Sequence, residues 1–144
     1  MLLQWAANLH EIGLHINASS VHKHSSYIIE HSPLPGFNQE QQLLLSAIVR
    51  SYRKKIRTEL IPVLTQFKPK LINRLISIFR LAVLFNQKRQ DGFITSLHVS
   101  ADKSQLILTL PQVWLDKNEL LVADLESEIT QLQKLNIQLM INSE

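Results

Sequence analysis

Residues 10–37 read HEIGLHINASSVHKHSSYIIEHSPLPGF, and this stretch decides the fold. Its Ser-Pro-Leu-Pro-Gly segment suits a tight turn, because proline and glycine stop helices. Upstream, apolar residues at helical spacing predict a helix over 2–16 and a second over 20–31, which Ser19 or Ser20 could cap. Downstream, Asn38 is a good cap for a third helix over 39–52, whose predicted inward residues are Leu44, Leu45, Ile48, Val49 and Tyr52.

A fourth helix is predicted over 69–88, with Pro69 in its first turn. The character of the sequence changes after Asp91-Gly92, where apolar residues begin to alternate. The pattern predicts strands over 93–99 and 105–110 joined by residues 101–104, a helix over 112–135, and a last strand with Ile137, Leu139 and Ile141. We therefore expect a mainly α protein: a helical bundle over 1–90 followed by a small ββαβ (α+β) C-terminal appendage over 91–144.

Composition excludes several classes of protein. The apolar fraction is 45% and the 144 residues suit one compact domain with a small addition. No run of 18 apolar residues predicts a transmembrane helix, and the first residues lack the basic region of a signal peptide. With no cysteine and three glycines, the chain offers neither a thiolate metal site nor a glycine-rich phosphate loop.

The net charge of +3 hides a strong asymmetry. Residues 50–89 hold eleven Lys or Arg against Glu59 alone, whereas the segments before and after carry −2 and −5. Such a local excess attracts polyanions, although solvated helix faces would give the same pattern. The densest part is RSYRKKIR, and its cations are suited to phosphate, Arg by forked geometry and Lys as a point charge. The predicted anion-binding residues are Arg50, Arg53, Lys54, Lys55 and Arg57, with His22, Lys23 and His24 second.

Four segments, in order, carry a family resemblance: residues 10–37, FNQEQQLLL at 37–45, RLAVLFNQKRQ at 80–90 and LPQVWL at 110–115. They resemble the C-terminal region of the exopolyphosphatase / guanosine pentaphosphate phosphohydrolase (Ppx/GppA) family. Residues 22–45 look more like the exopolyphosphatase branch. The resemblance implies an HD-like fold for the helical bundle. In that family the hydrolytic site lies in an N-terminal ATPase-type module, and this chain contains no such module.

The resemblance also implies a role. In the family this region helps to form a homodimer and guides inorganic polyphosphate toward the missing N-terminal catalytic domains. We therefore expect an accessory domain that is inactive by itself, with Mg²⁺ required only by the full-length enzyme. The implied location is the cytoplasm, extending to the inner membrane surface.

His10-Glu11 lies where HD-type phosphohydrolases carry a metal-binding His-Asp doublet, and His24 resembles a later ligand of that pattern. Val83 stands where the last Asp ligand would be, and valine cannot bind a metal. We expect His10, Glu11 and His24 to be vestigial, with no metal and no catalytic residue in this chain. Two alternatives stay open: a degenerate HD-type metal-dependent phosphohydrolase acting on a nucleotide or a (p)ppGpp-like substrate, and a general polyanion or nucleic-acid-binding module.

Overall fold

The computed structural model describes residues 1–94 and 96–144. It forms two compact units, Met1–Arg80 and Leu81–Glu144. The division falls within one helix, so the boundary predicted at residue 90 lies further along the chain. The described elements are mainly helical with one small sheet, which confirms the predicted fold class.

The first unit is built from α1 (Leu2–Leu9), α2 (Val21–His31), α3 (Gln39–Arg50) and the start of α4 (Pro69–Phe85), with 3₁₀ turns at Ile12–His15 and Thr58–Leu60. Its buried core includes Ile29, Leu44, Leu45, Ile48, Ile72 and Ile76. All five inward residues predicted for the third helix are buried. In α4 not every apolar residue faces the core, since Leu71 and Ile78 are 43% and 49% exposed.

Local side-chain chemistry fixes where α3 begins and how it meets α2. Asn38 is the predicted cap, and with Gln41 it forms a reciprocal capping box that satisfies two otherwise unpaired backbone N–H groups. The amide of Gln42 donates to the carbonyls of Ile29 and Ser32 at the end of α2. The hydroxyls of Ser26 and Ser46 lie 2.8 Å apart, which joins the two helices through small buried residues.

The predicted helix over 2–16 is wrong in its second half. α1 ends at Leu9, and the chain continues through the 3₁₀ turn at Ile12–His15. Gly13 explains the change, because a Cβ built there would lie 2.5 Å from the backbone nitrogen of Ser25 and 2.6 Å from the Val21 carbonyl oxygen. The turn therefore packs directly on the first turns of α2, which a straight helix could not do.

The prediction that a serine side chain caps α2 is also wrong. Ser20 is the capping residue by position, but its backbone is left-handed (φ 56°) and its side chain makes no capping hydrogen bond. The backbone N–H of Ser19 instead donates to Asn17 Oδ1. The third and fourth helices end two and three residues earlier than predicted, at Arg50 and Phe85.

The second unit contains a three-stranded sheet in the order β1 (His98–Asp102), β2 (Gln105–Leu110), β3 (Gln138–Ser143). β1 and β2 are antiparallel, while β2 and β3 are parallel and are connected through α5 (Gln112–Lys117) and α6 (Glu119–Gln133). Leu108, Leu110, Leu125, Leu132 and Leu139 form the buried core. This arrangement is the predicted ββαβ unit.

Two details of that unit differ from the prediction. The first strand starts at His98 rather than at residue 93, and position 95 of the predicted strand lies outside the described residues. Asp102 pairs with Gln105, so the connection is the two-residue turn Lys103-Ser104. The helix predicted over 112–135 is divided at Asn118, whose backbone is not helical (φ −129°, ψ 50°).

Candidate anion-binding site

The site begins where α3 ends. We call residues 50–57 the basic loop, since this segment holds five of the chain's cations. Two of its apolar members, Tyr52 and Ile56, are buried and hold the loop against the first unit. Lys54 and Lys55 are exposed, and Arg50 and Arg53 are half-buried. The loop thus exposes its charges while its apolar side chains fix its path.

Arg80 on α4 holds the loop from within. Its side chain is 4% exposed, and it donates from Nη1 to the Ser51 carbonyl (2.6 Å) and from Nη2 to the Lys54 carbonyl (3.0 Å). Lys54 has a left-handed backbone (φ 63°), which is costly for a residue with a side chain. Arg80 thus donates to the carbonyls on either side of Tyr52 and Arg53, and these two hydrogen bonds stabilise the strained path.

An aromatic cluster lies beneath the loop. The ring of Tyr52 makes edge contacts with the rings of His10 (centroids 5.1 Å apart), Phe79 (6.0 Å) and His22 (6.4 Å). Burial raises the pKa of Tyr52, and the charge of Glu11 adds to that effect, whereas Arg53 opposes it through a hydrogen bond and its charge. Tyr52 is therefore a neutral phenol that connects the His10-Glu11 doublet to the basic loop.

His22 is the most perturbed group in the site. It is 5% exposed, and its buried Nδ1 has no hydrogen-bond partner among the residues that the structure describes. Burial, followed by the charges of Arg50, Arg53, Lys23 and Lys54, lowers the pKa of His22 to about 4. His22 is consequently neutral at pH 7. An ordinary imidazole gains charge as pH falls through about 6.5, whereas His22 does not, because it is buried and four cations disfavour a further positive charge.

The structure brings some of the predicted residues together and leaves others apart. Arg50, Arg53, Lys54 and Lys23 act on the single point that His22 occupies. Lys55 is exposed, and Arg57 forms a 3.0 Å ion pair with Glu59 on the surface. His24 is half-buried on another side of α2, where its Cβ faces Gly13. His22 and His24 thus point to different surroundings, as their spacing of two residues predicted.

The HD-like positions do not form a metal site. His10 Nε2 lies 4.0 Å from Glu11 Oε1, and its Nδ1 donates to the Ala7 carbonyl at 2.7 Å. Within residues 1–94 and 96–144, no group of three or more His, Asp or Glu side chains converges in a way that could hold a metal ion. The described residues therefore do not fit the Mg²⁺ that the full-length family enzymes are expected to need.

Arg80 is the functional residue that sequence reasoning missed. In the sequence it is the first residue of RLAVLFNQKRQ and one of eleven Lys or Arg in residues 50–89, and its charge alone does not distinguish it from the surface cations. A lone Arg within an apolar helical pattern (Ile76, Phe79, Leu81) could have indicated a buried position, because Arg on such a face must find acceptors. Its acceptors are backbone carbonyls 26 and 29 residues away, which no sequence pattern displays.

The second unit offers a cavity of different character. A cavity of about 330 Å³ beside α5 and α6 is lined by residues that include Asp116, Glu119 and Glu126. Three carboxylates make this cavity unfavourable for an anion. The structural features suited to phosphate therefore lie in the first unit. In the part of the chain that the structure describes, no helix is long and apolar enough to cross a bilayer.

Comparison with known proteins agrees with the resemblance. Residues 1–129 match the family described as Ppx/GppA phosphatase, domain III. The chain belongs to this family. Similar proteins include the guanosine-5′-triphosphate,3′-diphosphate pyrophosphatases of Vibrio vulnificus (34% identical, covering 99% of this chain and 28% of the relative) and Vibrio cholerae (38%, covering 89% and 25%). The protein of the same name from Aeromonas hydrophila is 34% identical over 93% of this chain and 27% of the relative.

Two consequences follow for the Ppx/GppA domain. The chain spans about a quarter of the length of the curated relatives that it matches. The family prediction is confirmed, but the exopolyphosphatase branch that residues 22–45 indicated gains no support, since these relatives carry the pyrophosphatase name.

Proposed function

We propose that this Ppx/GppA domain III is an accessory domain that binds inorganic polyphosphate and guides it toward a hydrolytic site elsewhere in the protein, while supporting a homodimer. Binding rests on the basic loop and on Lys23. Neutral His22 contributes an imidazole that hydrogen-bonds without adding charge. In this proposal the chain alone does not hydrolyse its ligand, and its residues do not bind a metal. A cytoplasmic location, extending to the inner membrane surface, belongs to the same proposal.

The observation that carries this proposal is the convergence of charge on His22. Four cations from two elements, α2 and the basic loop, lower the pKa of one buried imidazole. Surface lysines and arginines that merely solvate helix faces would be spread apart and would not act on a common point. The buried residues Tyr52 and Ile56 and the hydrogen bonds from Arg80 fix the path of the loop that carries most of these cations, and a chain of phosphates would offset their positive charge.

The test is a fluorescence competition titration in which long-chain polyphosphate and duplex DNA compete for the protein at matched phosphate charge. The variant Arg53→Glu/Lys54→Glu/Lys55→Glu should lose polyphosphate binding. The matched control is Lys103→Glu/Lys117→Glu/Lys134→Glu in the second unit, which changes the net charge by the same amount and includes a left-handed lysine, Lys103, as the counterpart of Lys54. The control should bind almost as the wild type does.

Two results would count against the proposal. Equal weakening in both triple variants would mean that net charge alone attracts the polyanion. Equal affinity for DNA and polyphosphate, at both low and high salt, would favour a general polyanion-binding module.

A guanosine pentaphosphate is the second candidate ligand, because the similar proteins are named pyrophosphatases of guanosine-5′-triphosphate,3′-diphosphate. It carries fewer phosphates than long polyphosphate and so would contact fewer cations. If the pentaphosphate is the ligand, it should compete as well as polyphosphate when the polyphosphate concentration is expressed as that of chain ends. Long polyphosphate chains should then bind no more tightly than short ones.

A further inference from the structure

β1 is an edge strand without the usual protection. All five residues, His98–Asp102, are exposed, and Val99 is 57% exposed. The strand pairs with β2 in continuous register, without a bulge, and it contains neither proline nor lysine. Within the described residues, the sheet has no strand on the outer side of β1. Proteins usually protect such edges with proline, lysine or bulges, because free backbone groups invite another strand.

The register tells which backbone groups are free. Asp102 and Gln105 flank the two-residue turn, so they form the closing hydrogen-bonded pair of the hairpin. Hydrogen-bonded pairs alternate along antiparallel strands, which places Ser100 and His98 in the same class. Val99 and Ala101 therefore direct their N–H and C=O groups away from β2, toward the open edge.

The side chains of β1 are complementary to those of a second, antiparallel copy of the same strand. If two copies of the strand run antiparallel with a twofold axis at Ser100, Val99 of one copy faces Ala101 of the other, and these are the residues with outward backbone groups. The same register places each His98 opposite the other copy's Asp102, an imidazole opposite a carboxylate. An axis at Val99 would place His98 opposite Ser100, and an axis at Ala101 would place Asp102 opposite Ser100, so neither alternative pairs the imidazole with the carboxylate.

Both faces of the sheet also match. Val99 and Ala101 lie on the face of Leu108 and Leu106, so their pairs extend the apolar face across the axis. His98, Ser100 and Asp102 lie on the opposite, polar face. We propose that two copies of this chain pair β1 with β1, antiparallel about Ser100, and join their three-stranded sheets into one six-stranded sheet. This inference rests on the homodimer in the proposed function and is independent of polyphosphate binding.

The chain contains no cysteine, so Ser100→Cys introduces a single thiol at the axis. Directly opposite residues in a pair without hydrogen bonds have Cα atoms about 4.5 Å apart, within the range that a disulfide spans. Mild oxidation should convert most of this variant to a covalent dimer. Ser104→Cys is the matched control: in the proposed register two copies of residue 104 are separated by about 25 Å, so it should stay monomeric under the same conditions.

Charge exchange gives a second measurement that does not depend on oxidation. His98→Asp places two carboxylates opposite each other twice per dimer and should weaken dimerisation about tenfold in sedimentation equilibrium. The double variant His98→Asp/Asp102→His again places an imidazole opposite each carboxylate and should recover most of the affinity. If the protein is a dimer that neither cross-links through residue 100 nor responds to this exchange, the proposed β1–β1 interface is wrong, although the homodimer itself is not contradicted. A wild-type chain that stays monomeric at high concentration would overturn both.

Discussion

At the scale of single residues, the site depends on an imidazole that its surroundings keep neutral. The pKa of His22 is lowered from 6.5 to about 4 in the folded protein, so between these pH values the unfolded chain binds more protons than the folded one. The contribution of neutral His22 to the free energy of unfolding is therefore fully present above pH 6.5 and is lost as pH decreases toward 4. Burial and neighbouring cations act in the same direction, which makes His22 a measure of the field in the site.

We predict that the free energy of unfolding of the wild type falls between pH 7.5 and pH 4.5 by about 2 kcal/mol more than that of His22→Gln, which has no imidazole to protonate. Urea unfolding followed by circular dichroism at the two pH values measures this difference. The exposed residue His15 provides the control, since His15→Gln should retain the wild-type loss. An equal loss in His22→Gln and the wild type would contradict the assignment of a depressed pKa.

Gly13 makes a second prediction at this scale. Gly13→Ala places a Cβ 2.5 Å from the Ser25 nitrogen and 2.6 Å from the Val21 oxygen, both backbone atoms that cannot turn aside. We expect a loss of about 3 kcal/mol or more in stability, because the 3₁₀ turn must separate from α2. Gly36→Ala is the control: its φ of 90° is strained for alanine but no atom lies within 4 Å, so about 1 kcal/mol is expected.

At the scale of elements, Glu40 on α3 anchors the segment that follows the basic loop. Its carboxylate accepts hydrogen bonds from the Thr65 hydroxyl (2.7 Å), the Thr65 N–H (2.8 Å) and the Gln66 N–H (2.7 Å). These bonds, the Thr65 side chain first, lower the pKa of Glu40 below its usual 4.5. A carboxylate with a depressed pKa stabilises the fold above the unfolded value, and that contribution is lost as pH falls through the folded value.

We predict that Glu40→Gln accelerates amide hydrogen exchange at Thr65 and Gln66 at pH 7, because the neutral amide accepts these bonds less strongly than a carboxylate does. The same acceleration should occur in the wild type when pH falls well below 4.5, after correction for the intrinsic exchange rate. Exchange at Leu45 and Ile48, in the buried part of α3, should change little. Faster exchange throughout α3 would mean instead that the variant destabilises the whole unit.

Arg80 links two elements, α4 and the basic loop. Arg80→Met removes two donors to buried carbonyls and should reduce stability by about 2–4 kcal/mol, with weaker polyphosphate binding because Lys54 loses support for its left-handed backbone. Arg74→Met makes the same substitution on the exposed side of the same helix and should cost less than about 1 kcal/mol. Thermal unfolding measures stability, and the titration at a temperature where both variants are folded measures binding.

The elements that sequence predicted well are those with local determinants. The cap at Asn38, the turn around Pro35 and the ββαβ order of the last 50 residues each depend on patterns among neighbouring residues. α1 ended early for a non-local reason, the contact of Gly13 with α2. Asn118 divides the last helical pattern although the apolar spacing continues through it. For the site, residue types indicated the cations, whereas the field at His22 and the support from Arg80 depend on tertiary packing.

At the scale of the whole molecule, charge divides between the two units. The first unit holds ten Lys or Arg against four acidic residues, a net +6, and the second holds five against eight, a net −3. A polyanion is therefore attracted to one part of the chain and repelled by the other. This division explains how a protein with a net charge of only +3 can have a strongly positive part, and it supports the proposal that polyphosphate binds to the first unit.

The salt dependence of binding measures this division. If five cations, four near His22 and Lys55, each neutralise one phosphate, the affinity for polyphosphate should fall about a hundredfold between 50 and 200 mM salt, by analogy with single-stranded nucleic acids. The triple variant at residues 53–55 should reduce the slope of log affinity against log salt by more than half, whereas the triple variant at 103, 117 and 134 should leave it unchanged. A wild-type slope near zero would show that released counterions do not drive binding and would contradict binding by the cations of the basic loop.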